Sequence, residues 1–168
     1  DFSLYKPSTI QRRVERRMAL HPIEGMDGYV RYLQQNPAEI EALFADLLIG
    51  VTSFFRDPAA WDQLQHDALR PLMAGHTEAP YTVRAWVPGC ATGEEAYSLA
   101  ILAREALPPD PDWRIEILAT DLQGHAVVAA SQGRYSASQI RGIDPTLRNR
   151  YFIGVNEPGP DRTFDVLP

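Results

Sequence analysis

Two glycines stand in a short turn between a predicted strand and a predicted helix, in the segment VPGCATGEEAYSLA of residues 87–100. Gly89 and Gly93 let a ligand come close to the backbone, because neither carries a side chain. A turn that follows the first parallel strand of an α/β sheet is where nucleotide-like cofactors bind. The spacing is neither that of a dinucleotide site nor that of a phosphate-binding loop, which also needs a lysine. The turn therefore favours an adenosine cofactor without a demanding phosphate.

Two carboxylates follow this turn, Glu94 and Glu95. Thr92 with Glu95 fits a capping box, so Glu95 has a structural interpretation as part of a helix start. In the functional interpretation, an acid at this point holds the ammonium group of S-adenosyl-L-methionine. A negative pair beside a phosphate is unfavourable, so the two glutamates again disfavour phosphate ligands.

Asp121 ends the next predicted strand, in the sequence ILATD. An acid here can accept hydrogen bonds from both hydroxyls of a ribose. Alternatively, it caps the helix that follows.

The segment GVTSFFRD, residues 50–57, combines a hydroxyl, two aromatic rings and a cation. Thr52 and Arg56 are candidates for contacting a ligand. By composition alone, the segment equally fits a helix–helix turn with two core aromatic residues.

The elements that position these residues fall into two parts. Helical spacing and start signals predict an all-α bundle over residues 1–76, with capping boxes at Ser8–Gln11 and at Asn36–Glu39, and a helix that begins at Pro58 and kinks at Pro71. From residue 80 to 168 the order is strand (81–87), helix (94–107), strand (114–121) and helix (124–132), which predicts a parallel sheet. The tail from 136 to 152 is expected to be helical or irregular, with no further strand–helix unit after it. Because two strands make a poor sheet, we expect a chain cut off in mid-domain.

Charge and composition limit the class of protein. The net charge of −6 over 168 residues argues against a general nucleic-acid binder. Near the N-terminus, however, residues 6–17 contain five basic residues and a single acid, Glu15. This stretch is either a solvated helix face or a docking surface for an acidic partner; its basic residues are Lys6, Arg12, Arg13, Arg16 and Arg17. The single cysteine, the absence of a long apolar run and the absence of a leader predict a cytoplasmic protein. No metal site is expected.

Together the motifs resemble one family. The segments are LLIGVTSFFRDPAAW, WVPGCATGEEAYSLAI, ILATDL and GRYSASQI with LRNRYF. They look like those of the chemotaxis receptor glutamate methyltransferases of the CheR type, and most like the versions in fusion proteins that also carry a methylesterase. The resemblance implies an all-α domain followed by the first half of a Rossmann-like class I methyltransferase domain. It also implies transfer of a methyl group from S-adenosylmethionine to receptor glutamates, with S-adenosylhomocysteine as product.

The resemblance assigns roles to single residues. Thr52 and Arg56 would contact the cofactor, with Arg56 catalytic, while Gly89 would cradle it. Glu95, with Glu94 as the second choice, would bind the methionine end, and Asp121 the ribose. The arginines Arg12, Arg13, Arg16 and Arg17 would dock the helical cytoplasmic domain of a receptor.

The sequence departs from the family at two places. Gly50 stands where many relatives have an asparagine, and the family's further strands, with the Asn-Leu and Arg-Asn motifs that complete the pocket, do not follow Phe152 in this sequence. A non-catalytic cofactor- or partner-binding module is therefore the alternative function. A nicotinamide-dependent oxidoreductase is a third, disfavoured by the glycine spacing and the acidic pair.

Overall fold

The structure is a computed structural model that describes residues 2–48, 50–75, 80–107, 113–155, 159 and 162–167. The chain divides into two compact units, Asp1–Ile49 and Gly50–Pro168. In the described part of the chain, every helix is too short or too polar to cross a membrane.

The first unit consists of three helices, α1 (Pro7–Met18), α2 (Gly25–Gln35) and α3 (Pro37–Leu47). This confirms the predicted all-α start. Helix α3 packs against both of the others, and the ring of Tyr29 and the side chain of Leu47 are buried.

The two predicted capping boxes of this unit do not form. Helix α1 begins after Lys6 and has no side-chain cap, and the Asn36 amide donates to the carbonyl of Tyr32. Glu39, the expected second half of the Asn36 box, is instead bound to an arginine. Arg17 supplies a full positive charge and two donors, whereas a backbone N–H supplies one neutral donor, which explains the difference.

Glu39 is the polar centre of the helical unit and is only 6% exposed. It accepts hydrogen bonds from Arg17 Nε at 2.9 Å and from the Tyr29 hydroxyl at 2.7 Å, and His21 Nε2 lies 3.0 Å away. The bond from Arg17 outweighs burial and lowers the pKa of Glu39 from 4.5 to about 2. Burial, together with the Glu39 bond, raises the pKa of Tyr29 to about 12.

The second unit begins with a helical stretch made of α4 (Pro58–Leu64), a π-helical turn (Gln65–Leu69) and α5 (Arg70–Ala74). The irregularity expected at Pro71 takes the form of this π turn, because proline cannot donate the regular i→i−4 hydrogen bond. The turn packs against the helix that follows the glycines. The division between the units therefore lies at 49/50, before the boundary predicted at 76–80.

Two parallel strands form the centre of the second unit, β1 (Tyr81–Pro88) and β2 (Trp113–Thr120). Tyr81 pairs with Trp113 and Pro88 with Thr120, so the strands end at the same edge. Helix α6 (Glu94–Ala106) connects them, and α7 (Gly124–Gln132) follows β2. The predicted strand–helix–strand–helix order is confirmed to within one or two residues at each end.

A small antiparallel sheet completes the described part of the unit. Its strands are β3 (Arg134–Ser136), β4 (Phe152–Gly154) and β5 (Thr163–Val166), in the order β3-β5-β4, with α8 (Pro145–Tyr151) before β4. The tail over 136–152 contains α8 and is otherwise irregular, as expected, and no strand–helix unit follows it among the described residues; the three short strands were not predicted. Strands of three or four residues are too short to show a two-residue period, and their pairing is long-range.

Candidate functional site

Three residues of the glycine turn after β1 have a left-handed backbone conformation. Gly89, Ala91 and Gly93 have φ angles of +71°, +45° and +97°. At Gly93 a Cβ would also lie 2.9 Å from both Ala130 Cβ and the Tyr135 hydroxyl, so only glycine fits. At Gly89 no atom of the described residues lies within 4 Å of such a Cβ. The turn is packed on its Gly93 side and open on its Gly89 side, where a ligand can approach the backbone.

Asp121 ties this turn to the end of β2. One carboxylate oxygen accepts from Ala91 N and the other from Gln123 N, each at 2.8 Å. Gln123 is the residue before α7, and this helix has no side-chain cap, so the capping interpretation of Asp121 was wrong. Each carboxylate oxygen has two acceptor sites, which leaves one on each oxygen for a ligand hydroxyl.

Glu94 and Glu95 differ in burial and in contacts. Glu94 is 3% exposed and accepts from the Thr92 hydroxyl at 2.6 Å and from Gln139 Nε2 at 3.3 Å, whereas Glu95 is exposed. The residue before α6 is Gly93, with no side-chain cap. The capping box expected between Thr92 and Glu95 is therefore not formed, and the carboxylate beside the turn is that of Glu94.

The charge of Glu94 has no cationic partner among the described residues, where every ion pair within 4.0 Å involves other groups. A buried carboxylate is costly unless it is paired, even when neutral donors surround it. Its position beside the glycine turn thus suits a ligand that carries positive charge. S-adenosylmethionine has two such groups, an ammonium and a sulfonium, so the residues present fit this cofactor.

The segment of residues 50–57 packs on helix α6. The backbone N–H of Phe55 donates to Ser98 Oγ at 2.9 Å, and this fully buried hydroxyl donates to the Glu94 carbonyl. The Phe54 ring lies in the main core cluster of the unit. The other buried members of that cluster are Ile101, Tyr135, Ile140, Ile143 and Phe152. Core packing of Phe54, which the sequence left as an alternative, thus exists alongside an exposed cation two residues later.

Arg56 lies between two residues with strained backbone. Phe55 and Asp57 have φ angles of +49° and +56°, a region that residues other than glycine rarely adopt. The guanidinium donates to the Val51 carbonyl at 3.0 Å, and Trp61 Nε1 donates to the Arg56 carbonyl at 2.8 Å. The side chain is exposed and, within the described ranges, has no carboxylate within 4.0 Å. Most of its five N–H donors can therefore serve an anion.

The beginning of this segment lies beside the end of β2. A Cβ on Gly50 would be 3.6 Å from Gln123 Oε1, and the half-buried Thr52 follows two residues later. The segment therefore meets both the Asp121 edge and helix α6. That the glycine turn and the Thr52–Arg56 segment belong to one site stays a prediction; both adjoin helix α6.

The four arginines of α1 have different surroundings. Arg12 is exposed, and Arg16 is 61% exposed with a 2.9 Å ion pair to Asp46. Arg13 donates to the Asp46 carbonyl, and Arg17 is bound to Glu39. Arg17 therefore holds the helical unit together, and the exposed part of the predicted docking surface is formed by Arg12 and Arg16.

Sequence reasoning missed three residues that support the site: Ser98, Tyr135 and Gln139. Ser98 carried a signal, because it lies one helical turn after Glu94 and thus on the same face. Tyr135 and Gln139 carried none, since their contacts depend on the small sheet.

An apolar groove of about 380 Å³ lies between α6, β2 and α7 and includes Cys90 and Gly93 in its lining. No carboxylate lines it among the described residues, so it does not suit a cationic ligand. Among all residues that the structure describes, no group of three His, Cys, Asp or Glu side chains is able to hold a metal.

The two units have the arrangement of an all-α domain followed by a cofactor-binding α/β domain. Residues 50–164 match the family described as CheR methyltransferase, SAM binding domain, and residues 1–48 match CheR methyltransferase, all-alpha domain. The chain belongs to the CheR methyltransferase family. The family description names S-adenosylmethionine as the ligand of the second domain, in agreement with the predicted cofactor.

Curated relatives support this assignment. The chain is 37% identical over 153 residues to an uncharacterized 104.1 kDa protein of Rhodobacter capsulatus, covering 90% of this chain and 16% of the relative. It is 27% identical over 168 residues to a chemotaxis protein methyltransferase of Listeria monocytogenes, covering 100% of this chain and 60% of the relative. With the chemotaxis protein methyltransferase of Salmonella typhimurium the identity is 30% over 155 residues, and the shares are 89% and 49%. The chain thus spans less than two thirds of the length of each.

Proposed function

We propose that the protein is a methyltransferase that converts glutamate side chains of chemoreceptors to methyl esters, using S-adenosylmethionine. The observation that carries this proposal is the buried carboxylate of Glu94 beside the glycine turn, which has no cationic partner in the part of the chain that the structure describes. It stands in a domain of the CheR methyltransferase family, and relatives in Listeria and Salmonella are named chemotaxis protein methyltransferases.

The cofactor contacts follow from the site residues. Glu94, rather than the exposed Glu95, would bind the ammonium group of the methionine end. Asp121 has one acceptor site left on each oxygen for the two ribose hydroxyls. The open side of Gly89 leaves room for the cofactor beside the backbone, and Thr52 adds a hydroxyl from the neighbouring segment.

The chemistry needs little acid–base help. When bound, S-adenosylmethionine supplies a methyl group on a positively charged sulfur. The acceptor glutamate has an unperturbed pKa of about 4.3 and is already ionised at neutral pH. Its oxygen forms the new bond to carbon while the carbon–sulfur bond breaks and sulfur keeps the electron pair, so no proton moves.

Arg56 would orient the acceptor. An arginine can bind a carboxylate through two parallel hydrogen bonds. The strained residues on either side of Arg56 fix its backbone, and so the point from which the side chain extends. Because the carboxylate loses its charge on methylation, the arginine binds product less well than substrate. Catalysis then depends mainly on alignment and on the exclusion of water.

The proposed partner is the helical cytoplasmic domain of a chemoreceptor, which would place the protein in the cytoplasm. The exposed guanidinium groups of Arg12 and Arg16 would face acidic residues on such a domain. Arg13 and Arg17 would contribute by holding the helices that present this surface.

The proposal is tested by following labelled methyl groups from S-adenosylmethionine to a receptor cytoplasmic domain, with the full-length gene product as enzyme. Label that alkali releases as methanol identifies a methyl ester. We expect Arg56→Ala to lower turnover by about 100-fold or more while S-adenosylhomocysteine affinity changes by less than about 3-fold, since the residue acts on the acceptor.

Arg114→Ala is the matched control, because this exposed arginine lies at the opposite end of β2 from Asp121. Its turnover should match that of the unsubstituted protein. Cofactor binding without any ester formation would favour a non-catalytic module, an alternative supported by the two-stranded parallel sheet of the described residues. Equal turnover of the Arg56→Ala variant would remove the catalytic role of Arg56.

A further inference from the structure

We propose that Tyr135 is a positioning residue that holds the glycine turn in its ligand-binding conformation and joins it to the aromatic segment that carries Arg56. This inference rests on the proposed function of the turn as a cofactor site. Tyr135 lies in β3, outside the segments that form the turn and the Arg56 loop.

The first contact of Tyr135 is with the turn itself. Its hydroxyl donates to the Thr92 carbonyl at 2.8 Å, and it lies 2.9 Å from the place that a Cβ on Gly93 would occupy. The hydroxyl thus fills the space beside Gly93 and bonds the residue before it. Of the described groups around the turn, it is the one that holds a turn carbonyl from outside the βα unit.

The second contact is with the Arg56 segment. The rings of Tyr135 and Phe54 meet edge to face, with centroids 4.8 Å apart. Such pairs stabilise one relative orientation of two rings. Phe54 precedes the strained Phe55, whose N–H is held by Ser98. The ring of one tyrosine therefore touches the segment that positions Arg56, while its hydroxyl touches the turn.

Tyr135 is itself held firmly. It is 2% exposed and pairs with Phe164 in the small sheet. Burial, and next the charge of Glu94, raise the pKa of Tyr135 above its usual value, so the hydroxyl stays protonated and remains a donor. Four residues later, Gln139 donates to the Glu94 carboxylate. The short segment from Tyr135 to Gln139 thus contacts both the turn and Glu94, the proposed partner of the ammonium group.

This arrangement makes Tyr135 a positioning residue and not a catalytic one. The hydroxyl is committed to a carbonyl, and the buried side chain has no surface for substrate. Its removal leaves the Thr92 carbonyl without this donor and opens space beside Gly93. The turn then spends less time in the conformation that binds the cofactor, and the apparent affinity falls in proportion.

The test is the Tyr135→Phe variant of the full-length gene product, which keeps the ring and removes only the hydroxyl. We expect its dissociation constant for S-adenosylhomocysteine, measured by calorimetry, to rise about 5- to 10-fold, as for the loss of one buried hydrogen bond. Tyr97→Phe is the matched control, because the Tyr97 hydroxyl donates to the Ala130 carbonyl at 2.9 Å and does not bond the turn. Its affinity should stay within about 2-fold.

Hydrogen exchange of the ligand-free protein gives a second readout that does not depend on cofactor. Amides of residues 89–97 should exchange faster in Tyr135→Phe than in Tyr97→Phe. Equal exchange and equal affinity in the two variants would overturn the positioning role while leaving the proposed function intact. Failure of the unsubstituted protein to bind S-adenosylhomocysteine would instead overturn the proposed function and this inference with it.

Discussion

At the scale of single residues, Glu94 and Glu95 illustrate what adjacent positions on a helix can do. They are separated by about 100° around the helix axis, so one side chain enters the unit and the other reaches solvent. The sequence identified the acidic pair but favoured Glu95. Which of the two enters depends on how α6 is rotated against the rest of the unit, and that is a property of packing.

This difference predicts how the two carboxylates contribute to cofactor binding. Glu94→Gln keeps the shape and the bond to Thr92 but removes the charge. We expect it to weaken S-adenosylhomocysteine by about 10- to 100-fold, the usual effect of losing a hydrogen bond to a charged group. Calorimetry on the purified variant measures this, and its melting temperature reports whether the fold is kept.

The control for this prediction is Glu95→Gln, the same chemical change one position later. Its affinity should stay within about 2- to 3-fold, because the carboxylate is exposed to water. A larger loss of affinity in Glu95→Gln than in Glu94→Gln would contradict the role of the buried Glu94. It would favour Glu95 as the ligand of the methionine end, as the sequence predicted.

At the scale of elements, helix α1 combines a stabilising role with a proposed docking role. Arg17 is bound to the buried Glu39, and Arg16 makes a mostly exposed pair with Asp46. Arg17→Met leaves the Glu39 carboxylate buried without its cation, which should cost about 3 kcal/mol of unfolding free energy. Arg16→Met, the control, should cost less than about 0.5 kcal/mol. Hydrogen exchange of peptides from α1, α2 and α3 measures both, with peptides of the second unit as internal reference.

The same pair makes the helical unit sensitive to acid. The folded pKa of Glu39, about 2, lies below its ordinary value of 4.5, so its stabilisation is complete above pH 4.5 and is lost as the pH falls towards 2. Arg17→Met should reduce this acid-dependent loss, and Arg16→Met should not. An unchanged acid dependence in Arg17→Met would show that the ion pair does not set it.

Much of the element order could be predicted from the sequence. The change from helical to alternating periodicity located β1 and β2, and the glycines between β1 and α6 identified the turn. The small sheet could not be predicted, because Arg134 pairs with Asp165 across 31 residues and the strands are very short. The Arg17–Glu39 pair is likewise long-range, so the sequence placed both residues in other roles.

At the scale of the whole molecule, the all-α unit and the α/β unit match two domains of one methyltransferase family. The proposed division of labour gives receptor docking to the first unit and cofactor binding to the second. The residues that form the proposed cofactor site of the second unit come from four separate stretches of chain, which meet near the carboxyl ends of β1 and β2. Parallel α/β sheets bind ligands at that edge, so the location agrees with a general property of the fold.

The central claim is that S-adenosylmethionine binds across the turn that leaves β1. The most direct measurement is a titration of the isotopically labelled protein with S-adenosylhomocysteine, followed through its backbone amide resonances. We predict saturable shifts concentrated at residues 89–97 and 121–123, with the amides of α1, α2 and α3 unchanged. Shifts confined to the apolar groove, at Val127 and Ser131, or no saturable shift at all, would contradict the account.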